Sequence, residues 1–389
     1  MGVFTSFYRH TVARSIGIIF FATGLLYGTW SALIPFIKER FGLDEAQLGL
    51  LLLSMPAGVT LMNPFAVPIL HRLGAARMAR AALAITAGLF VIPLMAPSIW
   101  VLAPSLFIAG AAFSATNVAM NTCSSMLEVQ QNLRIMSTCH GLWSAGAMSG
   151  SALASVVTGV GVMPLLYSAI VSALIASAAL SVKKQMQSLR ESVHEEETDQ
   201  PAGKKFSLPN ALLWSLITIS LCTNLSEGTM ADWSAVYMKE VLDSPPYMIG
   251  WGFAAYAFFM ASGRFVGDGL LVHFGERKVL MGGGIVAAAG LALSVVFQNT
   301  AVALLGFAMV GAGVSLGAPI LYGASARVPG MAPGAGLATM NTFAMVGFLG
   351  GPALIGWIAK YWSLPTAFSL VACSALFWAW RAYRTNAIR

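Results

Sequence analysis

The chain has 389 residues, of which 57% are hydrophobic and only 10% charged. A water-soluble globule of that composition would lack the polar surface to cover itself, so the sequence reads as an integral membrane protein. Its net charge of +7 is spread along the chain between apolar runs, not clustered as a nucleic-acid-binding face would be, and a nucleic-acid partner is excluded.

Crossing a hydrocarbon core of roughly 30 Å takes about 20 apolar residues per helix. The apolar runs predict twelve helices, near 15–35, 46–70, 77–96, 99–125, 134–159, 162–182, 208–236, 247–271, 278–297, 301–324, 333–359 and 363–381. None shows the alternation that a membrane barrel strand requires, so the predicted fold is all-α. The first run is long and aromatic and no small-residue cleavage site follows it, which makes it a retained helix, not a signal peptide. Of the 22 Lys and Arg, 17 fall on the side of the N-terminus and the even-numbered loops, four on the other side and one, Arg264, within a span. That bias predicts both termini in the cytoplasm. Cys123, Cys139, Cys222 and Cys373 lie within spans without metal-ligand spacing and read as small apolar packing residues.

Residues 183–207, "KKQMQSLRESVHEEETDQPAGKKFS", form the one long polar segment. Its acidic run and its Gly and Pro predict a flexible connector with a short helix at its start, dividing the chain into six-helix halves at 1–182 and 208–389. His194 within it has no partner group fixed nearby and no catalytic role follows. A shift of 201 residues lays one half on the other: Lys38 on Lys239, Glu39 on Glu240, Gly49 on Gly250, Gly74 on Gly275, and Gly110 on Gly311. The Lys-Glu pairs are expected in loops on the face opposite the termini. Gly146 and Gly150 in the fifth span meet Gly347 and Gly351 in the eleventh, a spacing that lets helices approach closely and is expected to join the two halves. A parallel 6+6 repeat is the layout of transporters whose halves rock around a central site.

With that repeat in view the chain resembles the major facilitator superfamily. The loop "VPILHRLGAARM" (67–78) keeps Arg72, Gly74 and Arg77 of the superfamily's loop signature, with His71 where an Asp usually stands. The second copy, "GRFVGDGLLVHFGERK" (263–278), keeps Arg264, Gly267, Asp268, Gly275, Arg277 and Lys278. "HGLWSAGAMSG" (140–150) and "EGTMADWSAVYM" (227–238) are similar to a bacterial group that includes rhizopine-transport proteins and is related to fucose-permease-type sugar symporters. The Gly-Pro pair that the superfamily's drug/proton antiporters carry in span five is missing from "GAMSGSALAS" (146–155), which favours uptake over export. The resemblance implies a multi-pass protein of the bacterial inner membrane, acting as a monomer, with spans one, four, seven and ten around a cavity. The fucose-permease type has an acid in span one, and this chain has none.

Charged groups inside spans are costly and usually face a cavity or the protein interior. At a rise of about 1.5 Å per residue, Glu227 sits about 5 Å from the middle of the seventh span and Asp232 about 12 Å away, at the outer rim. Glu227 is the leading proton-coupling candidate, with direct substrate bonding and helix-to-helix bonding as the alternatives. Asp232 with Trp233 reads as a rim or gate element. Arg264 and Asp268 share one helical face, and with Arg72 the loop motifs suggest a cytoplasmic gate. Asn117 and Asn121 offer donors and acceptors for a hydroxyl-rich ligand, or bonds between helices. Tyr27, Trp30, Asn224 and Tyr322 join them as candidate lining through the superfamily layout, Trp30 as a stacking face or as packing. His140 is a proton-relay candidate, or a neutral side chain bonded to a neighbouring helix; Asn341 is its counterpart in the second half and a candidate for the substrate. Glu128 reads as a loop or gate residue.

No nucleotide-binding loop, metal cluster or activated nucleophile appears, so no cofactor, metal or enzymatic activity is expected. The expected function is secondary transport by alternating access, as proton-linked symport of a small polar solute such as a sugar, polyol or inositol derivative. Proton-antiport export of a metabolite or drug, and a transporter-like solute sensor, are the alternatives. The expected partners are one small solute, protons and the lipid bilayer.

Overall fold

The computed structural model describes residues 7–187, 189, 209–331, 335–385 and 387–388, and for Asp268 and Met345 the backbone alone. Most of the 183–207 connector, including His194, lies outside the described residues; Lys183–Met186 forms one helical turn at its start. Among the described residues twelve long helices follow one another: α1 Thr11–Arg40, α2 Glu45–Leu73, α3 Ala75–Met95, α4 Ile99–Gln131, α5 Met136–Gly159, α6 Pro164–Ser181, α7 Ala211–Glu240, α8 Trp251–Phe274, α9 Glu276–Phe297, α10 Thr300–Ala326, α11 Ala335–Tyr361 and α12 Leu364–Arg384. Eight of them are long and apolar enough to cross a membrane on length and composition alone; α5, α7, α8 and α12 are not. Three of those four exceptions, α5, α7 and α8, wall the cavity described below.

Several helices run further than the apolar pattern predicts, α1 and α7 among them. α1 passes through Pro35 to Arg40 and α7 continues to Glu240, because close packing along α5 and α11 supports turns that hydropathy alone would end. The Lys38-Glu39 and Lys239-Glu240 pairs therefore stand on the last helical turns and not in loops.

The repeat is written into the backbone. Gly74 between α2 and α3 has φ 81° and ψ 144°, and Gly275 between α8 and α9 has φ 79° and ψ 156°. Only glycine adopts that region without steric cost, so the same sharp reversal requires the same residue twice. In α4 a side chain on Gly110 would meet the Met55 carbonyl of α2, and in α10 one on Gly311 would meet the Tyr256 carbonyl of α8, each at 2.1 Å. Both contacts are related by the shift of 201.

The Gly-x-x-x-Gly spacings act within halves, contrary to expectation. Gly146 and Gly150 receive the carbonyls of Phe21 and Leu25 in α1, while Gly347 and Gly351 face Leu221 and Leu225 in α7. Each half thus packs its first helix on its fifth, through backbone carbonyls in the first half and through leucine side chains in the second. The halves meet through another matched pair: Gly49 of α2 lies against the Pro352 carbonyl of α11, and Gly250, just before α8, against the Ser151 carbonyl of α5. Ser151 Oγ donates to the Gly250 carbonyl at 2.7 Å, and the Gly250 amide donates to Ser155 Oγ at 2.9 Å. In lipid, where burying apolar surface gives no drive between helices, such close packing and hydrogen bonding hold the parts together.

Candidate functional site

A cavity of about 250 Å³ lies between the halves, walled by α1, α2, α4, α5, α7, α8 and α11. α7 brings Glu227, Ala231 and Asp232 to its wall. Asp232 stands two turns before the end of α7 at Glu240 and lines the same chamber as Glu227, not a separate outer rim site. Ala231, one turn beyond Glu227, has no bulk to separate the two acids, and its carbonyl accepts a hydrogen bond from Ser31 Oγ of α1. Neither carboxylate has a hydrogen-bond or ion-pair partner among the described residues. Arg264 of α8, half-buried, acts electrostatically on Glu227.

The rest of the wall is aromatic. The Tyr27 ring centroid is 5.8 Å from that of Phe113, 5.7 Å from Trp143 and 6.0 Å from Phe253, and Phe253 stacks on Tyr256 at 5.7 Å. Two hydroxyls on the wall, Ser144 Oγ and Tyr256 Oη, are buried without a hydrogen-bond partner among the described residues. A buried polar group costs free energy unless it is paired, so these two hydroxyls stand out beside the chamber.

Tyr27, Trp30, Asn117 and Glu227 are brought together on the cavity wall. Asn121 stands behind Asn117 and donates to its Oδ1 at 2.7 Å. Asn224 reaches the Ala344 carbonyl of α11 at 3.5 Å, a link between helices. Tyr322 on α10 is 43% exposed and within electrostatic reach of Glu227 without lining this cavity, and Asn341 on α11 is exposed and not part of its lining. His140 lies edge-on to Phe20 of α1 at 5.3 Å, away from the wall. Arg72 is exposed in the last turn of α2, and the Asp268 side chain lies outside the described residues. Glu128 of α4 accepts the amides of Ile135 and Met136 at 2.6 and 2.8 Å and so caps the start of α5.

Sequence reasoning passed over the α2 and α8 lining, although a signal for it existed. Leu52, Met55, Pro56 and Val59 of α2 fall on Phe253, Tyr256, Ala257 and Met260 of α8 under the 201 shift, and all eight line the cavity. Their spacing of three, four and seven marks one helical face in each copy.

One end of the cavity is sealed. Lys38 Nζ lies 2.9 Å from Glu45 and 2.6 Å from Glu240, Lys239 pairs with Glu39, and Lys360 of α11 lies 2.9 Å from Asp44, which caps α2. Three of these four pairs cross between the halves. Where α11 meets α2 it packs on Glu45–Leu52, the part nearest this closed face.

Two repeated six-helix halves around one chamber with buried acids define a polytopic membrane transporter. The family model of the Major Facilitator Superfamily matches residues 16–249 and 229–387, and the chain belongs to that family. It is 32% identical over 361 residues to an uncharacterized MFS-type transporter of Yersinia pestis, covering 92% of this chain and 91% of that one. It is 28% identical over 383 residues to the membrane protein MosC of Rhizobium meliloti, covering 97% and 92%. Among solved structures, a bacterial homologue of the human lysosomal transporter Spinster superposes with a TM-score of 0.75 at 15% identity, covering 97% of both chains. The protein is thus a membrane transporter and not an enzyme.

Proposed function

We propose that this protein is a secondary active transporter that carries a small polar solute in symport with protons by alternating access. Residues 1–182 and 208–389 are the two rocking bodies, joined by 183–207, in a bacterial inner membrane with both termini in the cytoplasm. The chain acts as a monomer, since each half contributes its own wall of the chamber. The observation that carries this reading is Glu227: an acid on the chamber wall, deep in a helix, with no hydrogen-bonded partner among the described residues. An unpaired intramembrane acid facing a cavity is the usual place for a proton to ride. The closed face bears the ion pairs and is the outer one by the distribution of basic residues, so the halves are held in the state that faces inward.

A chamber of about 250 Å³ lies below the roughly 300–1,000 Å³ of sites for drug-sized ligands, which supports a sugar, polyol or inositol derivative over a drug. Asn117, braced by Asn121, offers an amide for its hydroxyls. The test is solute uptake into proteoliposomes under an imposed inward proton gradient. Accumulation is expected in the wild type and lost in Glu227→Gln, with gradient-independent exchange retained. Accumulation that Glu227→Gln leaves intact would remove the proton role.

A further inference from the structure

The transport reading needs one acid for the proton, yet the chamber holds two, with no basic residue among its lining side chains. A neutral solute would leave the second carboxylate without an opposite charge. Its neighbours resolve this. Tyr27 lies under the electrostatic influence of both Asp232 and Glu227, and its ring is boxed by Phe113, Trp143 and Phe253. Aromatic faces attract a cation within about 6 Å of the ring centre, and rings grouped around an acid are how ammonium groups are recognised. The buried hydroxyls of Ser144 and Tyr256, both without partners, add acceptors for N–H donors.

The two acids are not equivalent. Arg264 acts on Glu227 and would repel a second positive charge brought there, and among the described residues no such influence falls on Asp232. Asp232 lies five residues further along α7, about 7.5 Å along the axis, on the side of the sealed face.

We propose that the chamber selects an organic cation, a small solute bearing an ammonium group, which Asp232 pairs and the Tyr27 box covers, while Glu227 carries the proton. The inference rests on the transport reading above, in which this chamber is the solute site. Asp232 is then the residue that reads substrate charge, and anionic solutes are excluded by both carboxylates.

The test uses the full-length protein with matched pairs that differ in charge and little in shape: cyclohexylamine with cyclohexanol, glucosamine with glucose, and choline with 3,3-dimethylbutan-1-ol. Binding is read from quenching of the chamber's tryptophan fluorescence and from thermal stabilisation in detergent; transport is read by uptake into proteoliposomes under an inward proton gradient. At least one amine is expected to bind better than its neutral partner by roughly 10- to 100-fold, the range for a hydrogen bond to a charged group. Asp232→Asn should collapse that ratio, and Asp232→Glu, which keeps the charge and guards against a folding defect, should restore part of it. Neutral members bound and accumulated as well as or better than the amines, with the ratio unmoved in Asp232→Asn, would overturn the charge assignment and leave the transport reading standing. Amines that bind through Asp232 but are never moved by the gradient would support the cation site and overturn the transport reading. Binding of no member overturns the inference.

Discussion

Lys38 at the end of α1 lies 2.6 Å from Glu240 at the end of α7, and the equivalent Lys239 reaches back to Glu39. One Lys-Glu dipeptide, present once per half, thus forms two reciprocal bridges across the pseudo-twofold relation. The bridges differ in surroundings: the Lys38 side chain is 9% exposed and also holds Glu45, whereas Glu39 is 71% exposed.

That difference predicts unequal effects from equivalent mutations. Lys38→Ala leaves Glu45 and Glu240 unpaired in a half-buried site. Discounted for solvent screening, this should weaken the closed state by about 1–3 kcal/mol, against less than about 1 kcal/mol for Lys239→Ala. Ser31→Cys, placed at the interface below the bridges, reports the opening through its labelling by an impermeant maleimide in a background without the native cysteines. Labelling should rise sharply in Lys38→Ala and little in Lys239→Ala. The double exchange Lys38→Glu, Glu240→Lys should recover part of the closure.

The Asp44–Lys360 bridge makes closure sensitive to acid. The hydrogen bond from Lys360, followed by that from the Gln47 amide, holds the Asp44 carboxyl below the usual carboxylate range. A carboxyl depressed in the paired state contributes fully above its unpaired value of about 3.9 and loses that contribution as pH falls through its lower paired value. Labelling of Ser31→Cys should therefore rise as external pH drops below about 4, and Asp44→Asn should remove this component of the rise.

Glycines that look alike in sequence should differ sharply in tolerance. A Cβ on Gly28 would lie 1.9 Å from the Ala147 carbonyl of α5, so Gly28→Ala forces α1 and α5 apart and should cost about 1–3 kcal/mol. Gly282, within α9, meets nothing within 4 Å. There Gly282→Ala should be neutral or stabilise by up to about 1 kcal/mol through helix propensity. Thermal unfolding in detergent separates the two.

Glu128 ties α4 to α5 through two backbone amides. Glu128→Ala leaves both donors at the helix start without this acceptor and should cost about 1–3 kcal/mol. Hydrogen exchange at Ile135 and Met136 should speed up, while exchange at mid-helix α4 amides stays unchanged.

Much of this architecture was legible before any coordinates. Twelve apolar runs specify twelve helices because the bilayer leaves few other ways to satisfy a backbone. Gly74 and Gly275 announced the repeat because a left-handed reversal depends on one residue and its neighbours. Glu227 was legible because depth along a helix is linear in residue number.

What the chain alone left open were relations between helices, above all rotation about each axis. α7 and the first part of α10 show little amphipathic asymmetry, so nothing local distinguishes the side that carries Glu227 toward the chamber from the others. The Gly146 and Gly150 spacing announces a close approach but not its partner, which proved to be α1 of the same half and not a helix of the other. Asp232, expected at the rim, lines the chamber with Glu227, and the sealing ion pairs stand two turns beyond it on α7. Composition and spacing determined how many helices there are and which polar groups they bury. Packing in three dimensions decided which of those groups share one chamber, because that depends on contacts between residues far apart in the chain.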